Sequence, residues 1–247
     1  MSTPEAQPAI WVVLPTYNEA ENLAPMVAAV FEQLPGATLL VVDDNSPDGT
    51  GRLADELAAA DPRVRVHHRA AKQGLGPAYV GAFRVALDGG AERIIQMDAD
   101  GSHDPQHLPA LTAALGDADL VIGSRYVAGG GVRNWGLFRR LVSRGGSLFA
   151  RLVLRLPAHD LTGGFKAWRA GVLAATPWPR LHSGGYVFQI EMTYLAHRRG
   201  ARIREVPIVF ADRRLGASKM SRRIIFEALL VVLRLRWEEL RGRIPRS

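Results

Sequence analysis

Short apolar segments alternate with segments of helical spacing through the first half of the chain. The apolar segments predict five strands, over Ile10–Leu14, Thr38–Val42, Val64–His68, Arg93–Met97 and Leu120–Ile122. Apolar residues at helical spacing predict the helices between them, over Glu19–Leu34, Thr50–Ala60, Leu75–Leu87 and from Pro105 to Leu115. Apolar strands that alternate with helices are typical of an α/β fold, in which a mostly parallel sheet is covered on both faces.

The second half carries longer apolar segments that arginines punctuate. Trp135–Leu156 predicts an amphipathic helix, or two helices if Gly145-Gly146 interrupts it. Its arginines fall on one helical stripe: Arg140, Arg144, Arg151 and Arg155. The remaining predicted elements are a short strand that reaches Trp168, a helix over Val187–Arg198, a strand over Arg202–Phe210 and an amphipathic helix over Arg222–Leu240.

Polar clusters follow three of the predicted strands. Thr16–Glu19 follows the first strand, Asp43-Asp44 the second and Asp98–Asp100 the fourth. The carboxyl ends of parallel strands meet at one edge of a sheet, which is where open α/β sheets bind ligands. The first half therefore predicts a nucleotide-binding unit with its site at this edge.

The amino-acid composition and the distribution of charge exclude several classes of function. The chain has no cysteine, which excludes disulfides, thiolate nucleophiles and cysteine-ligated metals. Its net charge of +7 is uneven: residues 1–125 hold 17 acidic and 8 basic residues, and residues 126–247 hold 7 and 23. A basic half indicates a phosphorylated ligand or an anionic membrane surface. Nucleic acid is not expected, because leucine and valine interleave the basic segments where stacking aromatics would be needed.

Asp98-Ala99-Asp100 is the strongest local signal for chemistry. Residues i and i+2 of an extended segment point the same way, and two neighbouring carboxylates repel unless a cation lies between them. Mg²⁺ or Mn²⁺ is the natural occupant, and the alternative is a solvated acidic loop that caps the helix at Pro105. His103 and His107 have the i, i+4 spacing of a zinc site but lack the following glutamate, so zinc is not favoured.

A set of ordered motifs carries a family resemblance over about residues 10–240. The motifs are VVLPTYNEAENL, VVDDNSPDGT, KQGLGPAY, MDADGSHDP, GSRY, DLTGGFKAWR and RRLGASK. Together they resemble the inverting GT-A glycosyltransferases of family 2, and among these the polyprenol-phosphate (dolichol-phosphate) mannose synthases. The resemblance implies a GT-A, Rossmann-like fold with C-terminal amphipathic helices. It also implies a GDP-mannose donor, a divalent metal and a polyprenyl monophosphate acceptor, which receives mannose with inversion.

The resemblance also implies which residues form the site. Nucleotide-sugar contacts are expected from Pro15, Tyr17, Glu19, Asp43, Asp44, Lys72, Asp98, Ala99, Asp100, Arg125, Arg213 and Lys219. Metal ligands are expected from Asp98 and Asp100, with Ser102 as a weak third where some relatives carry glutamine. Catalysis is assigned to Asp100, Arg125 and Arg139, and the acceptor phosphate to Arg125, Arg139 and Ser218. No catalytic base is expected, because a phosphate monoester is already ionised at neutral pH.

The organisation expected is one GT-A domain with three parts. Residues 8–125 form the nucleotide and metal half, 126–220 the acceptor half and 221–247 a membrane-associating helix. No secretory signal or spanning segment is predicted, so the expected location is the cytoplasmic membrane surface, peripheral on the inner face, with or without a membrane-protein partner. Two alternatives stay open: a polyprenyl-phosphate glucosyltransferase that uses UDP-glucose, and a non-catalytic lipid- or nucleic-acid-binding module.

Overall fold

The computed structural model describes residues 8–178, 185–211 and 222–244. The predicted site residues Arg213, Ser218 and Lys219 therefore lie outside the described residues. The strands are β1 (Ile10–Thr16), β2 (Thr38–Asp43), β3 (Val64–His68), β4 (Arg93–Gln96), β5 (Leu120–Ser124), β6 (Gly131–Val132), β7 (Lys166–Arg169), β8 (Ile203–Pro207) and β9 (Val209–Phe210). The α-helices are α1 (Ala20–Gln33), α2 (Thr50–Ala60), α3 (Leu75–Asp88), α4 (Leu108–Ala114), α5 (Leu137–Leu154), α6 (Ala170–Ala174), α7 (Gly185–Arg198) and α8 (Arg222–Leu240).

Seven strands form the main sheet in the order β3-β2-β1-β4-β7-β5-β8. All neighbours are parallel except around β7, which runs antiparallel to both β4 and β5. The predicted mostly parallel sheet is confirmed. The strand order reverses between β1 and β4, and such a switch point opens a crevice at the carboxyl ends of the strands.

Two apolar layers hold helices against the sheet. Successive strand residues point to opposite faces, so Val12 and Leu14 pack into one core cluster while Trp11 and Val13 pack into the other. Side chains of both sets are almost entirely buried. The sheet is therefore covered on both faces, as its continuous apolar strands predict.

Helix α5 corrects one expectation from the sequence. It runs unbroken through Gly145 and Gly146, so the two-helix alternative is wrong. A helical glycine costs only about 1 kcal/mol relative to alanine, and α5 has buried residues both before and after the glycine pair, Ser143 and Ser147 among them. Arg155 lies beyond the last turn, in the left-handed conformation, so it is not part of the helical arginine stripe.

The segment predicted as one strand over Arg202–Phe210 forms two. β8 ends at Pro207, and Ile208 donates its N–H to the Ser124 carbonyl at 3.0 Å. β9 then leaves the main sheet and pairs in parallel with β6. The predicted single strand is therefore divided between the main sheet and a two-stranded sheet.

Helices α5 and α8 pack against each other and expose large apolar side chains. The exposed residues are Leu137, Phe138, Leu141, Leu148 and Leu152 on α5, and Phe226, Leu230, Leu233, Trp237 and Leu240 on α8. We call this set the apolar ridge. Within the described ranges, no helix combines the length and hydrophobicity needed to cross a bilayer.

Candidate active site

The loops after β1 and β2 are bonded to each other at the carboxyl edge of the sheet. Asn18 donates its N–H to Ser46 Oγ at 3.1 Å, and Glu19 donates its N–H to Thr50 Oγ1 at 2.9 Å. Asn18 and Asn45 both adopt positive φ, which asparagine tolerates better than most residues. These bonds hold two of the three predicted polar clusters in one rigid surface.

Asp43 and Asp44 are neighbours with different surroundings. Asp43 accepts the Ser46 N–H at 3.1 Å and the Ser46 hydroxyl at 2.5 Å, and a Cβ on Gly51 would lie 2.9 Å from its Oδ2. Asp44 forms an ion pair with Arg69. Burial raises the pKa of Asp44, against the opposing effect of Arg69. Asp43 therefore braces the loop, while Asp44 presents a carboxylate beside a cation.

Lys72 brings the loop after β3 to the same edge. Its Nζ lies 3.5 Å from the centroid of the Tyr17 ring, a cation–π contact. Pro15, Tyr17 and Glu19 are each half-buried. The predicted nucleotide residues from β1, β2 and β3 thus lie together, which the sequence could only infer from the rule of strand ends.

The Asp98–Asp100 loop is held by buried neighbours. Tyr79 donates its hydroxyl to Asp98 Oδ1 at 2.9 Å, and the Asp98 N–H donates to His103 Nδ1 at 2.8 Å. Asp100 Oδ1 accepts the Ser102 N–H at 3.0 Å. Burial, and next the Asp98 charge, raise the pKa of Tyr79, so Tyr79 stays a neutral donor. These bonds fix both carboxylates before any ligand arrives.

The donor set fits a hard divalent cation. Asp98 and Asp100 supply two carboxylates from one loop, and Ser102 Oγ is buried with no hydrogen-bond partner among the described residues. A cation with oxygen ligands would satisfy an orphaned buried hydroxyl that lies in the same loop as two carboxylates. No group of three histidine, cysteine, aspartate or glutamate side chains within residues 8–178, 185–211 and 222–244 makes a metal cage. Among the described residues, the oxygens that could hold a cation are therefore those of Asp98, Asp100 and Ser102.

His103 and His107 do not converge as a zinc site would require. His103 is stacked on Phe165 with ring centroids 4.9 Å apart, and its Nδ1 accepts the Asp98 N–H. His107 Nε2 instead accepts the Val209 N–H at 3.3 Å. His103 acts as a brace for the metal loop.

Arg125, at the end of β5, has a buried partner in Asp160. Its Nε and Nη2 donate to the two carboxylate oxygens of Asp160 at 2.7 and 2.6 Å, and Nη2 also donates to Thr162 at 2.9 Å. The side chains of Arg125 and Asp160 are 4% and 0% exposed. Burial acts to raise the pKa of Asp160, but Arg125 outweighs it and holds that pKa below its usual value. The bidentate pair fits a positioning role better than the predicted direct contact of Arg125 with a substrate phosphate.

The guanidinium groups of Arg139 and Arg125 both lie near the ring of Trp135. The guanidinium carbon of Arg139 is 4.0 Å from the Trp135 ring centroid, and that of Arg125 is 5.2 Å from the same centroid. The structure thus brings together the two arginines predicted for the acceptor phosphate. Arg139 is half-buried, so it is the more accessible of the two.

Lys166 is a fully buried lysine behind the metal loop. Its Nζ donates to the Gln189 carbonyl at 2.8 Å and to Thr193 Oγ1 at 2.9 Å. Burial lowers the pKa of Lys166 to about 7. A neutral amine has two hydrogens, which matches these two acceptors.

We expect Lys166 to make the free energy of unfolding rise with pH between about pH 7 and 10. The pKa of an unfolded lysine is about 10.4, so between pH 7 and 10 the unfolded chain binds more protons, and stability rises with pH. The free energy of unfolding of the wild type, minus that of Lys166→Met, should rise by up to about 1.4 kcal/mol per pH unit over this window. Urea unfolding at pH 7.5, 8.5 and 9.5 measures it. A flat difference would mean that Lys166 remains charged inside the fold.

Several residues of the site escaped the sequence analysis. Tyr79, Asp160, Lys166 and Gln189 had no predicted role, because each comes from a segment remote in sequence from the residue that it contacts. Three of them lie in the quoted motifs, which is the usable signal: Tyr79 ends KQGLGPAY, and Asp160 and Lys166 belong to DLTGGFKAWR.

The fold and the acidic strand-end site together define an enzyme of the GT-A class. A model of Glycosyl transferase family 2 matches residues 11–175, and the chain belongs to this family. The predicted family and fold are confirmed.

Relatives of known name match nearly the whole chain. An undecaprenyl-phosphate mannosyltransferase of Micrococcus luteus is 48% identical over 239 residues, which are 95% of this chain and 98% of the relative. A polyprenol monophosphomannose synthase of Mycolicibacterium smegmatis is 48% identical over 238 residues, which are 96% of this chain and 89% of the relative.

A solved structure shares the fold at low identity. Glucosyl-3-phosphoglycerate synthase from Mycobacterium tuberculosis, in complex with Mn²⁺, UDP and glucosyl-3-phosphoglycerate, superposes with a TM-score of 0.67 at 20% identity. The match covers 94% of this chain and 80% of that one. At this identity the likeness establishes the GT-A fold alone.

Proposed function

We propose that the protein transfers mannose from GDP-mannose to a polyprenyl monophosphate, giving polyprenyl-phosphate β-mannose and GDP. The observation that carries this proposal is the 48% identity, over nearly the full length, to two polyprenol-phosphate mannosyltransferases from different organisms. The site supports it with a nucleotide-side cluster, a pair of carboxylates suited to a divalent cation and arginines beyond them.

The nucleotide half of the proposed site comprises the ends of β1, β2, β3 and β4, all within residues 8–125. Tyr17 with Lys72, and Asp44 with Arg69, are the groups suited to the guanosine and its ribose. Asp98 and Asp100 would hold Mg²⁺ or Mn²⁺, and such a cation neutralises charge on a leaving diphosphate. Glucosyl-3-phosphoglycerate synthase, which shares the fold, was crystallised with Mn²⁺ and UDP. These are a divalent cation and a nucleoside diphosphate, the two kinds of ligand proposed here.

The acceptor half is proposed for residues 126–220. A phosphate monoester needs no general base, so the protein's task is to hold one anion against another. Arg139 is the proposed contact for the acceptor phosphate, because a guanidinium can bind phosphate in a bidentate manner. Arg125 is proposed as a positioning residue, since it forms a bidentate pair with Asp160 and lies against the same Trp135 ring as Arg139.

The apolar ridge is the proposed surface for the membrane in which a polyprenyl chain resides. Its large side chains are exposed by 51–74%, and exposed arginines lie on the same helices, Arg140, Arg144 and Arg234, with Arg241 directly after α8. An apolar face flanked by cations suits a helix that lies in the interface of an anionic bilayer. The proposal therefore locates the enzyme peripherally, on the inner face of the cytoplasmic membrane.

Sugar transfer with two donors tests the proposed function directly. Purified protein is given radiolabelled GDP-mannose or UDP-glucose, a polyprenyl phosphate in vesicles, and either Mg²⁺, Mn²⁺ or EDTA. Metal-dependent labelling of the lipid from GDP-mannose, and none from UDP-glucose, is the expected result. Labelling from UDP-glucose alone would show that the donor is UDP-glucose and not GDP-mannose. Labelling that persists in EDTA would show that transfer does not require a divalent metal.

Charge placed on the apolar ridge should weaken membrane binding. The double variant Leu141→Glu/Leu233→Glu puts two anions on exposed leucines of α5 and α8. We expect the fraction that sediments with phosphatidylglycerol vesicles to fall about 10-fold or more. The matched control Ala59→Glu/Ala60→Glu adds the same charge to exposed positions of α2 and should bind like the wild type. Equal binding of all three proteins would rule out the ridge as the membrane surface.

A further inference from the structure

A chain of three buried side chains fixes the orientation of the Gln189 amide. The Trp168 Nε1–H can only donate, and it donates to Gln96 Oε1 at 2.8 Å. Gln96 must then present its NH₂ group at the other end, and it donates to Gln189 Oε1 at 2.9 Å. The indole therefore determines which end of both amides is which, and the Gln189 NH₂ group points onward.

That NH₂ group has no hydrogen-bond partner among the described residues, although Gln189 is only 1% exposed. A buried amide left unpaired costs about 1–3 kcal/mol. The backbone of Gln189 is held from the other side, where its carbonyl accepts from Lys166 Nζ. The donor is thus rigid, oriented and unsatisfied.

Gly164 leaves a small space in front of this donor. A Cβ built on Gly164 would lie 3.4 Å from His103 Cε1, 3.6 Å from Gln189 Nε2 and 3.7 Å from Asp98 Oδ2. The other oxygen of Asp98 accepts from Tyr79. The space beside Gly164 is therefore bordered by an N–H donor on one side and by a metal-loop carboxylate oxygen on the other.

We propose that Gln189 determines donor-sugar specificity by donating a hydrogen bond to one hydroxyl of that sugar in the space beside Gly164. The inference rests on the proposed function, which brings a hexose on a diphosphate to Asp98 and Asp100. A hydroxyl accepts and donates at once, so it satisfies Gln189 Nε2 and Asp98 Oδ2 together. A site that pairs a buried donor with a substrate hydroxyl strongly rejects the analogue that lacks it.

Single-deoxy donors test this assignment. Values of kcat/KM are measured for GDP-mannose and for its 2-, 3-, 4- and 6-deoxy analogues, with the wild type and with Gln189→Met, which keeps the volume but removes the donor. In the wild type one analogue should be poorer by about 10-fold or more, and in Gln189→Met that one ratio should collapse toward unity. Thr176→Val is the control: it removes a hydroxyl that donates to the Val172 carbonyl at the end of α6, and it should leave every ratio unchanged. Equal loss on all donors in Gln189→Met would show a merely structural role and overturn the proposal.

Gly164→Ala tests the space itself without depending on the fold of Gln189→Met. The added Cβ would make only ordinary contacts of 3.4–3.7 Å, so the melting temperature should stay within a few degrees of the wild type. We expect kcat/KM for GDP-mannose to fall about 10-fold or more, because the methyl group occupies the place of the hydroxyl. Full activity in a folded Gly164→Ala protein would contradict the proposal. If the wild type itself transfers no mannose, the proposed function fails instead, and the two failures are thereby distinguished.

Discussion

Asp100→Asn should lower mannose transfer by about 100-fold or more while the protein remains folded. The substitution keeps an oxygen that can accept the Ser102 N–H, which Asp100 Oδ1 accepts at 3.0 Å, so the loop keeps its brace. What it removes is one of the two negative charges proposed to hold the cation. Steady-state transfer from GDP-mannose, measured over a range of Mg²⁺ and Mn²⁺ concentrations, gives the size of the loss. Excess metal should restore part of the activity, because a weakened site is filled at higher concentration.

Asp104→Asn is the matched control in the same loop. Asp104 caps the turn at Pro105 by accepting the Gln106 N–H at 3.0 Å, and asparagine caps equally well. The control loses the same charge, four residues away, and should keep most of the activity. If Asp100→Asn is as active as Asp104→Asn and equally stable, the assignment of Asp100 to metal binding and catalysis is wrong.

Asp160→Asn should destabilise the fold by about 3–5 kcal/mol, because it removes the buried carboxylate charge that pairs with the Arg125 guanidinium. For a chain of this size, that corresponds to a drop in melting temperature of roughly 6–20 °C. Thermal unfolding followed by circular dichroism measures it. Asp117→Asn is the control: its ion pair with Arg204 is exposed, at 3.4 Å, and its loss should shift the melting temperature by about 2 °C or less. Similar shifts for the two variants would mean that Arg125 is solvated.

Removing both charges separates the structural part of Arg125 from any contact with substrate. Arg125→Met/Asp160→Asn removes the buried cation but keeps an acceptor for the backbone N–H groups of Arg125 and Gly163, which Asp160 accepts at 2.9 and 3.2 Å, and it should regain part of the stability lost in Asp160→Asn. If Arg125 only positions the site, the double variant keeps the wild-type KM for polyprenyl phosphate. A large rise in that KM, in a stable double variant, would show that Arg125 contacts the acceptor phosphate directly.

The strand ends were predictable because local rules govern them. β1, β2, β4 and β5 are short, apolar and bounded by polar residues, and a parallel sheet necessarily gathers their carboxyl ends at one edge. Tyr17, Asp44 and Asp98 were therefore assigned to one site from spacing and resemblance alone. The path of α5 was less predictable, since whether a glycine pair interrupts a helix depends on what that helix packs against.

The sequence alone determined three properties: an α/β fold, a carboxylate pair suited to a cation, and an acidic half followed by a basic one. Each follows from residue order, because strand and helix periods, i to i+2 spacing and net charge are local or additive properties. Tertiary contacts determined three other features: the pairing of Arg125 with Asp160, the burial of the Lys166 amine and the orientation of the Gln189 amide. Arg125 and Asp160 are 35 residues apart, and Gln96 and Gln189 are 93 apart. No local rule relates residues at such distances, and whether a polar group is solvated or paired is settled only when the packed core closes around it.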